Sequence, residues 1–189
     1  LTTTNVSTAG AKTITMTPIG STAANVDRYP EGEGLRMFVA SYATMGANAP
    51  TMQITYTNSA GTAGKTTTAG IVSTASATSG ILLNSGNAAN KVGPFLTLAA
   101  GDTGVKDIQT LTWGGTAHAS GSVFIGLCKP LCMPIPVPAT GLYNMVDFVN
   151  TLPSLPRLRN GANVQFLIFA TGATTSAATL YANFDYGWN

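Results

Sequence analysis

Residues 105–131 read VKDIQTLTWGGTAHASGSVFIGLCKPL, and the fold turns on how this stretch is understood. Leu111 and Trp113 share one side of an extended chain, with Thr110 and Thr112 on the other. Val123, Ile125 and Leu127 repeat the pattern further on. Side chains alternate with period two along a strand, so each row reads as a half-buried strand. Gly114, Gly115 and Gly121 punctuate the link between them. The stretch therefore predicts strand, glycine-rich turn, strand: a hairpin with both apolar rows on one side.

On the C-terminal side, Pro130, Pro134, Pro136 and Pro138 follow. Proline at alternate places excludes both a helix and a central strand, so this segment is expected to run extended over a surface or an edge. Residues 141–150 form the one convincing helix. Leu142, Met145, Val146 and Val149 fall at i, i+3, i+4 and i+7, with Thr140 as a cap. Two closing strands are expected. NVQFLIFA (163–170) is apolar on both faces and reads as central, and TLYANFDYGW (179–188) carries Leu180, Ala182, Phe184, Tyr186 and Trp188 on one face.

On the N-terminal side, AKTITMT (11–17), LRMFVASY (35–42), TMQITYT (51–57), ILL (81–83) and PFLTL (94–98) read as strands. Residues 18–34 form a long loop, and residues 58–80 are too rich in Ser, Ala, Gly and Thr to decide. Residues 1–10, LTTTNVSTAG, carry almost nothing to bury and read as an arm that orders against a partner. The expected architecture is all-β: about eight strands in a jelly-roll-like two-sheet β-sandwich, with one short helix and an extended N-terminal arm. Residues 11–189 make up a single domain, which the length of 189 residues allows.

Composition narrows the function. The chain is 44% hydrophobic but only 8% charged, against about 25% in ordinary globular proteins. Disorder couples low hydrophobicity to high charge, and this chain does the reverse. A surface so poor in charge is weakly soluble alone, which implies that neighbouring subunits cover much of it. The net charge of +2 argues against nucleic acid as a partner. No stretch reaches the roughly 18 apolar residues of a membrane span. No basic-then-apolar signal peptide opens the sequence as given, which starts at Leu1, so processing to a mature end is the expectation.

The chemistry-bearing residues are few. Gly64-Lys65-Thr66 resembles the end of a phosphate loop, but Ser59 stands where the pattern needs glycine and no helical periodicity follows. Glu31 and Glu33 are the one close pair of acids, a pairing that can hydrolyse glycosides, here in the glycine-rich turn PEGEG. The sole histidine, His118, lacks the partners of a triad or a zinc site and is placed at the hairpin tip. Cys128 and Cys132 lie four apart, about 13 Å along a strand, too far to bridge. Cys128 reads as a small core residue. Asn5-Val6-Ser7 is an isolated glycosylation triplet. The aromatics Phe166, Phe169, Tyr181, Phe184, Tyr186 and Trp188 read chiefly as core, with Tyr181 alone on a polar face. No catalytic, cofactor or metal residues are assigned, and an enzyme is the last-ranked class.

Three blocks, GVKDIQTLTWGG (104–115), LCKPLCMPIPV (127–137) and LPSLPRLRNGANVQFLIFATG (152–172), together resemble structural proteins of tailed bacteriophage particles. The likeness is nearest to the capsid decoration, or cement, proteins. It implies a jelly-roll subunit, usually a homotrimer, on the outer surface of the virion. Such a subunit clamps neighbouring copies of the major capsid protein and needs no cofactor, nucleic acid or membrane. The expected partner contacts are the arm (Thr2, Thr3, Thr4, Asn5, Val6) and the proline stretch (Met133, Ile135, Val137). On this reading, deleting residues 1–10 leaves the fold intact and weakens attachment. The alternatives are a phage tail, baseplate or fibre subunit, and a carbohydrate-binding β-sandwich module. The lack of internal repeats favours the capsid surface over a fibre.

Overall fold

The computed structural model describes residues 2–5, 12–15, 29–44, 46, 51–68, 70–71, 85–86, 91–114, 120–131, 161–164 and 167. Ten strands run through them: β1 Thr2–Asn5, β2 Lys12–Thr15, β3 Arg36–Ala43, β4 Thr51–Asn58, β5 Lys65–Thr66, β6 Gly70–Ile71, β7 Ser85–Gly86, β8 Lys91–Gly93, β9 Val105–Gly114 and β10 Ser122–Cys128. They form two antiparallel sheets. The first has the order β1-β10-β3, and the second β2-β9-β4-β5 with β6 also on β4. β7 and β8 make a separate two-stranded ribbon. The described residues contain no helix.

The strands at 11–17, 35–42 and 51–57 form where the alternation places them. β9 and β10 form too, but not as a hairpin. β9 pairs with β2 and β4, and β10 pairs with β1 and β3. The link between them therefore crosses from one sheet to the other. The apolar rows stand on the faces that alternation predicts, and their pairing partners differ from a hairpin's. Leu111 and Trp113 meet Val123 and Ile125 in one buried cluster that draws on both sheets. Two apolar rows can be joined side by side or face to face, and alternation alone does not distinguish these.

Thr2–Asn5, read as a free arm, lies along β10 as β1, with Thr2 opposite Ile125 and Asn5 opposite Ser122. Three threonines favour extended backbone, and the edge of β10 offers partners for their backbone groups. At 94–98 the expected strand shortens to a single bridge, Phe95 to Phe38, though Leu96 and Leu98 are buried. Of the expected strand at 163–170, only Asn163, Val164 and Leu167 are described. None is in a strand, and Val164 is 41% exposed. The expected helix at 141–150 and strand at 179–188 lie outside the described residues.

The core is set by the β4–β9 pairing. Met52 faces Trp113, Ile54 faces Leu111, Tyr56 faces Ile108 and Asn58 faces Val105, and all eight are buried. Strict alternation would have brought Gln109 and Asp107 inward instead. Two bulges on β9, at Gln109 and Lys106, prevent this by each giving β9 one residue more than β4. A third irregularity leaves Tyr42 without a register partner on β10, and its ring is 63% exposed. Each fully buried large apolar side chain contributes about 1.5–3 kcal/mol.

Candidate functional site

Charge is scarce in this chain, and most of what the described residues carry stands at one end of the sheets, with Lys12 opposite Trp113 and Lys91 in β8 standing apart. There β3 begins, β4 ends, β9 begins and β10 ends. Glu31, Glu33, Arg36, Lys65, Asp102, Lys106, Asp107 and Lys129 all lie on or beside these termini.

The most connected group of hydrogen bonds in this region is built on Asp102. Its Oδ2 accepts from the Tyr56 hydroxyl at 2.6 Å and its Oδ1 from Asn58 Nδ2 at 2.7 Å. The Ala99 N–H donates to the Tyr56 oxygen at 2.8 Å, and the Thr62 N–H donates to Asn58 Oδ1 at 2.8 Å. β4 delivers Tyr56 and Asn58, two residues apart, on its inward face. The turn Ala99–Asp102, closed by an N–H donated from Asp102 to Ala99, delivers the carboxylate. The Tyr56 and Asn58 hydrogen bonds hold Asp102 below the usual carboxylate range. Burial, then the Asp102 bond, pushes the Tyr56 hydroxyl up to about 12. Every strong polar group here is satisfied by another. The cluster clamps loops 58–62 and 99–104 together. A shallow recess of about 440 Å³ lies beside it, lined by Arg36, Phe95, Leu98 and Asp102 among others.

Glu31 and Glu33 stand nearby. Sequence reading makes PEGEG a turn with no strand to hold it, and here the structure differs. Glu33 bridges to Gly104, the Val105 N–H donates to the Gly32 carbonyl, and the Gly34 N–H donates to the Thr103 carbonyl. Gly32, at φ 67°, has Val105 O only 2.3 Å from where a Cβ would sit, so only glycine fits. The turn is braced, but both carboxylates point to solvent, and Glu31 reaches Lys106 at 3.6 Å as a surface ion pair. Lys129 lies 5.3 Å from the Tyr29 ring centroid.

Gly64-Lys65-Thr66 leads into β5, a strand paired with Thr55 and Tyr56, so the helix that a phosphate loop requires is replaced by a strand. The Gly64 N–H donates to Gln109 Oε1 at 3.0 Å. Cys128 is half-buried, and burial pushes its thiol up to about 11. Asp107 has a buried oxygen, Oδ1, without a hydrogen-bond partner, and burial raises its titration despite an N–H from Ile108.

Of the expected partner contacts, Thr2, Thr3, Thr4 and Asn5 lie together in β1. Val6, Met133, Ile135 and Val137 lie outside the described residues, as do His118 and Cys132. Sequence reasoning missed the Tyr56–Asn58–Asp102 cluster. Its members are 44 and 46 residues apart in the chain, and none belongs to a recognisable motif. The one usable signal was Asp102 in an AAGDTG turn, since aspartate beside glycine often organises loop backbone. No family model, curated protein or solved structure matches this chain.

Proposed function

We propose that this chain is a jelly-roll structural subunit of a virus particle, decorating and cementing the outside of a tailed-phage capsid. The observation that carries the reading is strand order. The first sheet runs β1-β10-β3 and the second β2-β9-β4, so each sequential pair, β1 with β2, β3 with β4 and β9 with β10, holds the same place in opposite sheets. Beyond β3 comes the Phe95 bridge, and beyond β4 come β5 and β6. This order supports a jelly-roll sandwich, in which two Greek keys fold over each other.

Jelly rolls occur widely in capsid and lectin domains, so the fold supports the virion reading without assigning it. The other support is chemical. A chain with 8% charged residues suits a particle in which neighbours cover its surface. The polar cluster around Asp102 serves to brace loops, which favours a structural role over catalysis. The partners on this reading are the major capsid protein and further copies of the chain, as a homotrimer.

The test combines light scattering of the purified chain with co-sedimentation on undecorated capsids. A trimer that pellets with capsids, and stays bound as salt is raised, is the expected result. A monomer that remains in the supernatant overturns the reading and directs attention to tail components and then to glycans.

A further inference from the structure

β1 is the most lightly held strand of the first sheet. Among the described strands it ends the sheet order and pairs with β10 alone, and it reads Thr-Thr-Thr-Asn, with no apolar side chain. Its hold is a backbone ladder over four register pairs. β10 is fixed independently of it. Its other edge pairs with β3 from Ser122 to Cys128, and Val123 and Ile125 are buried. The segment that ties β1 to β2, residues 6–11, reads VSTAGA and contains neither proline nor charge. Fully extended it reaches roughly 20 Å.

The geometry points to strand exchange: the edge of β10 accepts residues 2–5 of a second copy of this chain in place of its own. The ladder is made by backbone groups, so a β1 from a neighbour forms the same bonds in the same register. The internal and exchanged forms then differ only in the link and in local concentration. The strand on offer is short, uncharged and β-favouring, the chemistry that strand addition to a sheet edge uses. The inference rests on the virion reading for one thing only, a crowded surface that keeps copies close. On such a surface exchange would link subunits without any new apolar interface.

Asn5 stands opposite Ser122, a separation that suits a disulfide. In a background with Cys128 and Cys132 changed to Ala, one chain carries Asn5→Cys and another Ser122→Cys. The two are mixed at high concentration, incubated and oxidised. The expected product has twice the chain mass and yields a 5–122 linked peptide in mass spectrometry. A chain carrying both changes reports the internal pairing. Closure of that internal link with no 5–122 link in the mixture overturns exchange, and so does the absence of any 5–122 link in either sample. As a check that avoids engineered cysteines, a labelled peptide LTTTNVSTAG is titrated onto the unaltered full chain. Saturable binding is expected, and no binding overturns exchange. Capsid co-sedimentation is read separately. Exchange without capsid binding removes the virion reading alone, and capsid binding without exchange removes this inference alone.

Discussion

The two sheets share a core but differ on their outer faces. In the second sheet the outward positions are Thr13 and Thr15 on β2, Thr110 and Thr112 on β9, and Thr51, Gln53, Thr55 and Thr57 on β4, all exposed or half-exposed. Thr13 and Thr112 share a hydroxyl–hydroxyl hydrogen bond of 3.0 Å. In the first sheet the corresponding positions are Phe38 and Ala40 on β3 with Phe124 and Gly126 on β10. Phe38 and Ala40 are 8% and 2% exposed, though they point away from Met37 and Val39. One sheet thus has a wet face and a dry face, and in the other β3 is dry on both. The difference teaches that β3, flanked by β10 and the Phe95 bridge, behaves as part of an interior layer among the described residues.

The sharpest way to break this contrast is to empty an outward position in each sheet. Phe38→Ala should cost about 3–5 kcal/mol in denaturant unfolding, the toll of a core aromatic. If it costs no more than Thr110→Ala, the first sheet has no dry outer face. Next comes Gly126→Ala. A Cβ there would lie 2.2 Å from the Phe38 ring, so about 1–3 kcal/mol of overpacking strain is expected. Combining it with Phe38→Ala should recover part of that loss, because the two changes share one space.

The Asp102 cluster belongs to the second sheet and predicts smaller effects. Asn58→Ala removes the donor to the Asp102 carboxylate and the acceptor of the Thr62 N–H, and should lower the denaturant midpoint, more at neutral pH than at acid pH. Acid itself should act on the second sheet, whose strands carry or bond the described carboxylates with shifted titration. Asp107 titrates above its ordinary value, so its contribution to stability is present in acid and lost as pH rises through that raised value. Asp102 titrates below its ordinary value, so its contribution is lost only as pH falls through the lowered one. Stability should therefore rise on mild acidification and fall on stronger acidification. Denaturant midpoints measured across pH check this, with Asp107→Asn removing the rise and Asp102→Asn the fall. The smallest effect belongs to the wet face, where Thr15→Val should stay within about 0.5 kcal/mol.

Alternation made individual strands legible. MQITYT reads as one wet and one dry face because Met, Ile and Tyr occupy every second place, and β4 forms there. RMFVASY is apolar almost throughout, and β3 is dry on both faces for that reason. Pairing was not legible. The turn after Trp113 carries the glycines that a hairpin wants, yet the chain crosses to the other sheet, because glycine permits both routes. The Asp102 cluster was hidden for a related reason. Its residues become neighbours only after β4 and the 99–104 loop reach the same end of the sheets, and nothing local records that meeting. The pairing of Thr2–Asn5 with β10 leaves no apolar signature, because Thr-Thr-Thr-Asn carries no alternating apolar row.

The paired bulges of β9 bear on how this strand can change length. Side chains along a strand keep a two-beat count, and one extra residue puts everything beyond it out of step. β9 slips at Gln109 and slips back at Lys106, so only the short run between them is off the beat. Deleting either bulge residue alone would leave Ile108 opposite Tyr56 and Val105 opposite Asn58, because the pairs on each side of the bulge close over the gap. Deleting both would give an unbroken two-beat strand with the same side chains inward. The strand is therefore predicted to tolerate loss of Gln109 or Lys106 better than loss of a residue that holds a register pair, such as Leu111, because those two stand outside the ladder.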